Sequence, residues 1–398
     1  MASGSNKTID MIFLVHGLSN IEINAQEQWI NFSTPLEKKL GSDCVIKYVK
    51  ANSNKTTDGI VVGGLRVANE VCQEMKDEKE SRTGCTFRIH LIGHSLGGLY
   101  LRQAIPLLVK RGVFNSTCIP FSFLTLETPH LGVKKPDNNG GFDDIFKTVS
   151  NSMFSGQTIN ELQLTDRPYP PYDPKFVDEF PLLFRMVEDE YINALKIFKH
   201  LTLIQNIKFS FQVPYVSAAL DRAIPYDREF YKDKYFVDGF DFAKDYTDII
   251  DGCEKKYILQ PQQGEVIEEK KDGCVIYEKM VEKLNQLPWR RVNVNFRTKS
   301  PDVHQFLIGQ FLRKKIFKNW GNDDVDNFIK TVAELIERDV EIDNGKLVKP
   351  NIEGDTLIDI DAQKLKKNSE QIDTKKEERA YLDQTTTVKQ TTEITTLL

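Results

Sequence analysis

The sequence of 398 residues contains no apolar run that approaches the roughly 18 residues needed to cross a membrane. Its first residues lack the charged and apolar regions of a secretory signal, so we expect a cytoplasmic protein. Lysine and arginine total 53 and aspartate and glutamate total 58, which gives a net charge of −5. Because no basic excess is available to neutralise a phosphate backbone, we predict no nucleic-acid partner.

Cysteine is scarce, and its six positions show no CxxC spacing, which disfavours a structural zinc site or a disulfide framework. The sequence also lacks a P-loop, a dinucleotide fingerprint and a cluster of metal ligands, so we predict neither a metal nor a cofactor. Hydrophobic residues at 40% and charged residues at 28% are typical of a soluble globular protein with a sizeable core.

Short apolar runs that read as strands alternate with amphipathic segments that read as helices. The predicted strands are 11–15, 44–49, 87–92, 121–126, 211–216 and 291–296, and the predicted helices are 63–75, 96–109 and 325–336. This alternation favours an α/β fold with a mostly parallel sheet and helices on both faces.

We predict one α/β domain over residues 8–340 with two insertions. The first, about 133–200, is rich in aromatic residues and is predicted to form a cap. The second, about 241–285, is rich in charge and reads as a surface insertion. Residues 341–398 form a C-terminal extension, which is predicted to be disordered from about 368 because it offers too little apolar surface.

A candidate nucleophile lies in Gly93-His94-Ser95-Leu96-Gly97, which matches the G-x-S-x-G nucleophile elbow. A predicted strand precedes the motif and a predicted helix follows it, as the elbow requires. The glycines Gly93 and Gly97 allow the sharp turn that would present Ser95.

A serine that attacks an ester needs two N–H donors aimed at the developing oxyanion. The N–H of Leu96, directly after the nucleophile, is one candidate. The N–H of Leu18, in the turn after the first strand, is the other. His16 in the same turn is interpreted as a hydrogen-bonded turn residue, since it precedes the nucleophile in the chain.

The general base is chosen by chain order, because this kind of site runs from serine to an acid and then to histidine. That order leaves His304, on the loop after the last predicted strand. Asp221 is the first carboxylate after strand 211–216 and is the candidate acid, with Asp227 as the nearest competitor. The histidines set aside are His16, His90, His94, His130 and His200.

The chain resembles the eukaryotic putative serine esterase family of lipase-like α/β-hydrolases, which has fungal and plant members. The similarity extends from about residue 12 to 332. It rests, in order, on His16-Gly-Leu-Ser, Ser53-Asn, Thr57-Asp-Gly-Ile, Gly64-Leu-Arg, Ile92-Gly-His-Ser-Leu-Gly-Gly with Arg102 and Ala104-Ile, Thr128-Pro-His-Leu-Gly, Gln157-Thr, Leu162-Gln-Leu-Thr-Asp, Pro181-Leu-Leu-Phe-Arg-Met, Asp221-Arg-Ala-Ile-Pro-Tyr, Trp289-Arg-Arg-Val-Asn-Val and His304.

The resemblance implies an α/β-hydrolase fold, an acid at Asp221 and a base at His304. The chain departs from the family at Ser217, where members often carry asparagine, and 241–285 matches no family motif. We therefore predict a serine hydrolase that cleaves carboxylic esters of lipids, such as acylglycerols or phospholipids, through an acyl-enzyme.

Three other expectations accompany this reading. A thioesterase or protein deacylase would use the same catalytic residues, and an inactive hydrolase fold could serve as a lipid- or protein-binding scaffold. A lipid ester substrate would bring peripheral contact with a membrane or lipid droplet. The sequence indicates no oligomeric state.

Overall fold

The computed structural model describes residues 7–19, 24–133, 156–167, 179–206, 212–221, 272–294, 296, 303–310 and 322–346. Within these ranges the core is a six-stranded sheet in the order β2-β1-β3-β4-β5-β6, and every neighbouring pair is parallel. The strands are β1 (Thr8–Val15), β2 (Cys44–Val49), β3 (Thr86–His94), β4 (Cys118–Leu126), β5 (His200–Asn206) and β6 (Trp289–Val294).

Helices connect these strands, and a parallel sheet requires such crossovers. They are α1 (Ala25–Leu40), α2 (Ile60–Ser81), α3 (Leu96–Lys110), α4 (Gln157–Leu162), α5 (Leu182–Arg185), α6 (Asp189–Leu195), α7 (Tyr215–Ala219), α8 (Asp272–Leu284), α9 (Val303–Phe306) and α10 (Asn322–Asp343). None of these helices combines the length and the apolar character that crossing a bilayer would need.

Both faces of the sheet are covered, as the near-continuous apolar character of the strands predicts. Met11 and Phe13 of β1 point into a core cluster shared with α2 and α3. Ile12 and Leu14 of the same strand point the other way, into a cluster shared with α1 and α10. The alternation along one strand therefore distributes its side chains between two cores.

The structure confirms four early predicted strands, the strand near 291–296 and all three predicted helices, with shifts at their ends. It also contains α1, which the sequence analysis missed. The strand predicted at 211–216 is wrong, because the fifth strand is β5 and this segment leads into α7. Pro214 stands at the N-cap of α7, and its missing N–H would have left a gap in a central strand.

The predicted insertions lie partly outside the described residues. Helix α8 belongs to the segment predicted as a charged surface insertion, yet Ile276, Met280 and Leu284 are buried in the core cluster of α2 and α3. A stripe of apolar residues at helical spacing was hidden there by the surrounding charges. The aromatic segment contributes α4, α5 and α6 within its described parts, and the tail from 347 lies outside them.

Candidate active site

The order of the strands reverses at β1, which has β2 on one side and β3 on the other. In open parallel sheets, ligands bind in the crevice that such a reversal creates beyond the carboxyl ends of the strands. The segment His16–Leu18 follows β1, and Ser95 follows β3. The topology therefore brings the predicted nucleophile and the predicted oxyanion loop to the same crevice.

Ser95 occupies the sharp turn that its motif predicts. Its φ of 54° and ψ of −126° lie in a region that residues with side chains rarely adopt. The Ser95 N–H donates a 2.9 Å hydrogen bond to the carbonyl of Leu126, which helps to fix this backbone against the neighbouring strand. Such a conformation is typical of functional sites, where surrounding contacts hold it at a cost of about 1–3 kcal/mol.

The two elbow glycines are required by close backbone contacts. A Cβ atom on Gly97 would lie 2.2 Å from the carbonyl oxygen of Val15, and one on Gly93 would lie 2.5 Å from the backbone nitrogen of Gly98. Both contacts involve backbone, which cannot move aside as a side chain can. Gly93 and Gly97 therefore allow β3 and α3 to approach β1 closely enough to form the turn.

The loop after β1 flanks the nucleophile directly. A Cβ atom on Gly17 would lie 2.7 Å from the Ser95 Cβ and 3.3 Å from its Oγ. Among the described residues, the N–H groups of Leu18 and Leu96 find no hydrogen-bond acceptor. Two unpaired donors therefore follow the segments that touch Ser95, as an oxyanion hole would require.

His304 lies in the short helix α9 and is buried. Its Nδ1 hydrogen-bonds to Oε2 of Glu127 at 2.6 Å, and Glu127 is also fully buried. Glu127 directly follows β4, has a φ of 47°, and donates its N–H to the carbonyl of Ile204 at 2.7 Å. Glu127 thus stands on β4 in the position that Ser95 occupies on β3.

The structure places Glu127 in the contact with His304 that the sequence analysis predicted for Asp221. The N–H of Asp221 closes the end of α7 on the carbonyl of Val216, and its own carbonyl accepts from Tyr277 of α8 at 3.5 Å. The competitor Asp227 lies outside the described residues.

Sequence reasoning missed Glu127 because it placed the strand that should precede the acid too late in the chain. A usable signal was present, since Glu127 follows the apolar strand β4 immediately and is followed by Thr128-Pro129. A carboxylate at the carboxyl end of a strand beside the nucleophile strand belongs among the candidates in any parallel sheet.

Two further imidazoles are buried around this site. His94 contacts His304 with ring centroids 4.5 Å apart, and burial together with the nearby His304 lowers the pKa of His94 well below its usual range. Burial also lowers the pKa of His16, whose Nδ1 contacts the carbonyl of Gly17 at 2.9 Å. His16 thus has the turn contact that its sequence position predicted.

The other predicted residues are accounted for as follows. Ser217 accepts from the N–H of Leu131 at 3.0 Å and donates to the carbonyl of Gly132 at 2.6 Å, so it fixes the loop after β4. Ser95 and His304, both described, make no direct hydrogen bond to each other. Catalytic hydrogen bonds are often long before substrate binds. No group of three acidic, histidine or cysteine side chains within the described ranges could hold a metal ion.

A strained serine beside free N–H donors, with a carboxylate at the end of the adjoining strand that holds a histidine of a later helix, is the arrangement of a serine hydrolase. The family model of the putative serine esterases (DUF676) matches residues 5–220. The chain belongs to this family. Its fold is accordingly that of the α/β-hydrolases, and its family is one of hydrolases of the serine esterase and lipase type.

Comparison with characterised sequences adds one relative. The chain is 30% identical over 218 residues to the putative lipase YDL109C of Saccharomyces cerevisiae. The match covers 54% of this chain and 28% of that protein, so the chain matches only part of its relative's length.

Similar solved structures include hydrolases from two fungi. Carboxyl esterase 2 of Tuber melanosporum is 12% identical with a TM-score of 0.39, covering 82% of this chain and 78% of that one. The peroxisomal α/β-hydrolase Lpx1 of Saccharomyces cerevisiae is also 12% identical, with a TM-score of 0.33 and coverages of 86% and 87%.

Proposed function

We propose that this protein hydrolyses carboxylic esters with Ser95 as nucleophile, His304 as general base and Glu127 as the acid that orients the base. Two neighbouring features carry the proposal. Ser95 occupies a strained turn beside Gly17 at the end of β3, and at the end of the next strand, β4, the Glu127 carboxylate binds Nδ1 of His304 at 2.6 Å. The hydrogen bond to Glu127 leaves Nε2 of His304 as the nitrogen that takes the serine proton.

In this mechanism Ser95 Oγ attacks the ester carbonyl while His304 accepts its proton. The N–H groups of Leu18 and Leu96 stabilise the oxyanion of the tetrahedral intermediate. The protonated His304 then gives its proton to the leaving alkoxide, and an acyl-enzyme remains on Ser95. Water attacks this acyl-enzyme with His304 again acting as base, which releases the carboxylic acid and restores the serine.

We propose a lipid ester, an acylglycerol or phospholipid, as the substrate class. Support comes from the similarity to a relative named as a putative lipase and from the apolar insertion between β4 and β5. In the described part of that insertion, Phe180, Leu183 and Phe184 are buried in the core cluster that includes α3, the helix behind Ser95. A cytoplasmic enzyme with this substrate would meet it at the surface of a membrane or lipid droplet.

The test measures hydrolysis of p-nitrophenyl esters of increasing chain length, with fluorophosphonate labelling of the serine. We expect Ser95→Ala and His304→Ala to abolish turnover, and Glu127→Gln to lower kcat by about 10³- to 10⁴-fold because the base loses its orienting charge. Asp221→Asn is the matched control and should stay within about threefold of wild type, because the carboxylate that contacts His304 is that of Glu127.

Each alternative gives a different result. A loss in Asp221→Asn as large as in His304→Ala would return the acid to Asp221. Faster turnover of acyl-thioesters than of oxygen esters would favour a thioesterase or protein deacylase. Absence of both hydrolysis and labelling in the wild type would favour a scaffold without catalytic activity.

A further inference from the structure

We propose that His94 and Asn206 are positioning residues that hold His304 and its carboxylate in register with Ser95, an inference that rests on the proposed function. The two side chains come from β3 and β5, the strands on either side of β4, whose end carries Glu127. We call His94 and Asn206 together the clamp.

The first half of the clamp acts on the backbone of the base. Nε2 of His94 lies 2.9 Å from the carbonyl oxygen of His304. Because a carbonyl only accepts, Nε2 must carry the proton, and Nδ1 of the neutral ring is then an acceptor. Nδ1 is buried and finds no partner among the described residues. Within those residues the one hydrogen bond of the His94 ring is therefore the bond to the backbone carbonyl of His304.

Contacts around His94 fix the plane of its ring. The ring of Trp29 in α1 packs edge-on against the His94 ring, with 6.3 Å between the ring centroids. The ring of His304 also packs against the His94 ring, with 4.5 Å between the centroids. His94 also precedes Ser95 in the chain. His94 therefore both leads into the turn of Ser95 and hydrogen-bonds to the backbone of His304, so the positions of Ser95 and His304 depend on the same residue.

The second half of the clamp acts on the acid and on the same helix. Nδ2 of Asn206 donates to Oε2 of Glu127 at 2.8 Å and to the carbonyl of Val303 at 3.2 Å. Asn206 is buried at the end of β5. One amide group thus ties the carboxylate to the residue before His304.

Together these bonds hold two consecutive carbonyls, those of Val303 and His304, with side chains from two strands. The imidazole itself is held by Glu127 from the strand between them. Among the described residues, the titratable side chains that contact His304 are Glu127 and His94, and His16 acts in turn on His94. A misplacement of about 1 Å can reduce turnover by about 100-fold. Holding the Val303 carbonyl, the His304 carbonyl and the His304 imidazole on this four-residue helix therefore keeps the base within reach of Ser95.

The test compares His94→Phe, His94→Gln and Asn206→Leu in the full-length chain. Phenylalanine keeps the ring shape without the donor, whereas the glutamine amide can replace the Nε2 donor. Two readouts are used: kcat and KM for p-nitrophenyl butyrate, and the low-field proton resonance of the His304 Nδ1–H, which reports its hydrogen bond to Glu127 without any substrate.

We expect His94→Phe and Asn206→Leu to lower kcat by about 10- to 100-fold with KM within about twofold, because binding is unchanged and only the base is displaced. His94→Gln should recover kcat to within about fivefold of wild type. The low-field resonance should shift or broaden in the first two variants and persist in the third.

Asn31→Leu is the matched control for stability of the same segment. Asn31 of α1 donates to the carbonyl of Gly309 at 2.7 Å, five residues beyond the base, and it contacts neither Glu127 nor His304. We expect this variant to lower the melting temperature while kcat and the low-field resonance stay as in wild type.

Equal losses of kcat in Asn31→Leu and in the clamp variants would overturn the proposal, since they would reflect segment stability alone. An unchanged kcat and resonance in His94→Phe would overturn it as well. If the wild type neither hydrolyses esters nor reacts with a fluorophosphonate, the proposed function fails, and the resonance still decides whether the clamp orders His304.

Discussion

At the amino ends of the strands, Arg88 of β3 donates two hydrogen bonds of 2.7 and 2.8 Å to the two carboxylate oxygens of Asp10 of β1. His90 joins the same carboxylate at 3.0 Å and Ser122 at 2.9 Å. A second, partly buried pair, Arg290 of β6 with Asp339 of α10, is also bidentate, at 3.0 and 2.7 Å. Each charged group of these two clusters therefore has a charged or polar partner.

At the carboxyl ends of the same strands, the buried side chains are of similar types, but some of their polar atoms lack hydrogen-bond partners among the described residues. His16 Nε2, His94 Nδ1 and Glu127 Oε1 are buried without a hydrogen-bond partner among the described residues. Ser95 and Glu127 both have a positive φ. The polar groups at the amino ends of the strands therefore stabilise the fold. The carboxyl ends keep strained and incompletely hydrogen-bonded groups where chemistry would occur.

Carboxyl groups near the two ends titrate in opposite directions. Burial opposes ionisation of Asp10, yet hydrogen bonds and charges from His90 and Arg88 outweigh it and lower the pKa of Asp10. Burial likewise opposes ionisation of Asp339, and the charges of Arg290 and His200 lower its pKa. Glu161 of α4 accepts the N–H of Ile60 at the start of α2, but neither this bond nor the charge of Arg185 offsets burial, which raises the pKa of Glu161 to about 7. Burial alone does not set the direction, because the neighbouring charge decides it.

Breaking the amino end should have the largest effect on stability. Arg88→Met would leave the Asp10 carboxylate buried without its guanidinium, so we expect the free energy of unfolding to fall by about 3–5 kcal/mol. Urea unfolding measures this loss, with Arg82→Met as control because Arg82 forms an exposed pair with Glu78 that contributes about 0–1 kcal/mol. Fluorophosphonate labelling of the folded variant should persist. Equal losses in both variants would contradict the distinction between the two ends.

Breaking the backbone turn at the carboxyl end should cost less stability but remove function. A methyl group at Gly97 would meet the carbonyl of Val15 at 2.2 Å, so we expect Gly97→Ala to destabilise by about 1–3 kcal/mol and to abolish labelling of Ser95. Gly41→Ala is the control for backbone strain, since its Cβ would meet nothing within 4 Å and only its φ of 70° opposes the change, so this variant should lose some stability and keep its labelling. Retained labelling in Gly97→Ala would show that the turn tolerates displacement.

The smallest effect concerns the dependence of stability on pH. Glu161 has a folded-state pKa of about 7, above its unfolded value of 4.5, so its protonated form favours folding below pH 4.5 and this contribution is lost as the pH rises towards 7. Glu161→Gln cannot titrate, and its melting temperature should rise relative to wild type between pH 5 and pH 8. A constant difference across that range would contradict the raised pKa.

Asp339→Asn tests the opposite case, a carboxyl group whose pKa is lowered by its neighbours. Its lowered pKa means that the ionised carboxylate stabilises the fold at neutral pH and that this contribution is lost as the pH falls below about 4. The variant should therefore be less stable than wild type at pH 7, and the two should converge at low pH in thermal unfolding. A difference that grows on acidification would exclude this assignment.

The turn at Ser95, its glycines and the candidate base His304 were accessible from the sequence because each depends on local order. The G-x-S-x-G spacing fixes a turn through contacts within a few residues, and His304 follows from the order of elements along the chain. The resemblance to the serine esterase family, which the family match confirms, came from motifs in the same order.

The contact between Glu127 and His304 was not accessible in this way, since it depends on which strand lies next to which. Asp221 and Glu127 both follow elements that a sequence can place only approximately, and the error at 211–216 favoured Asp221. The apolar stripe of α8 was missed for a related reason, because its burial depends on packing against distant residues such as those of α5.

By itself the sequence determined the alternation of strands and helices, the turn at Ser95 and the lack of an excess of basic residues, all of which follow from short-range spacing and composition. The tertiary structure alone decided the rest. It brought Glu127, Asn206 and His94 from three adjacent strands onto His304, and it set the pKa of each buried carboxyl through its neighbours. Contacts between residues far apart in the chain depend on strand order and register, which local patterns do not encode.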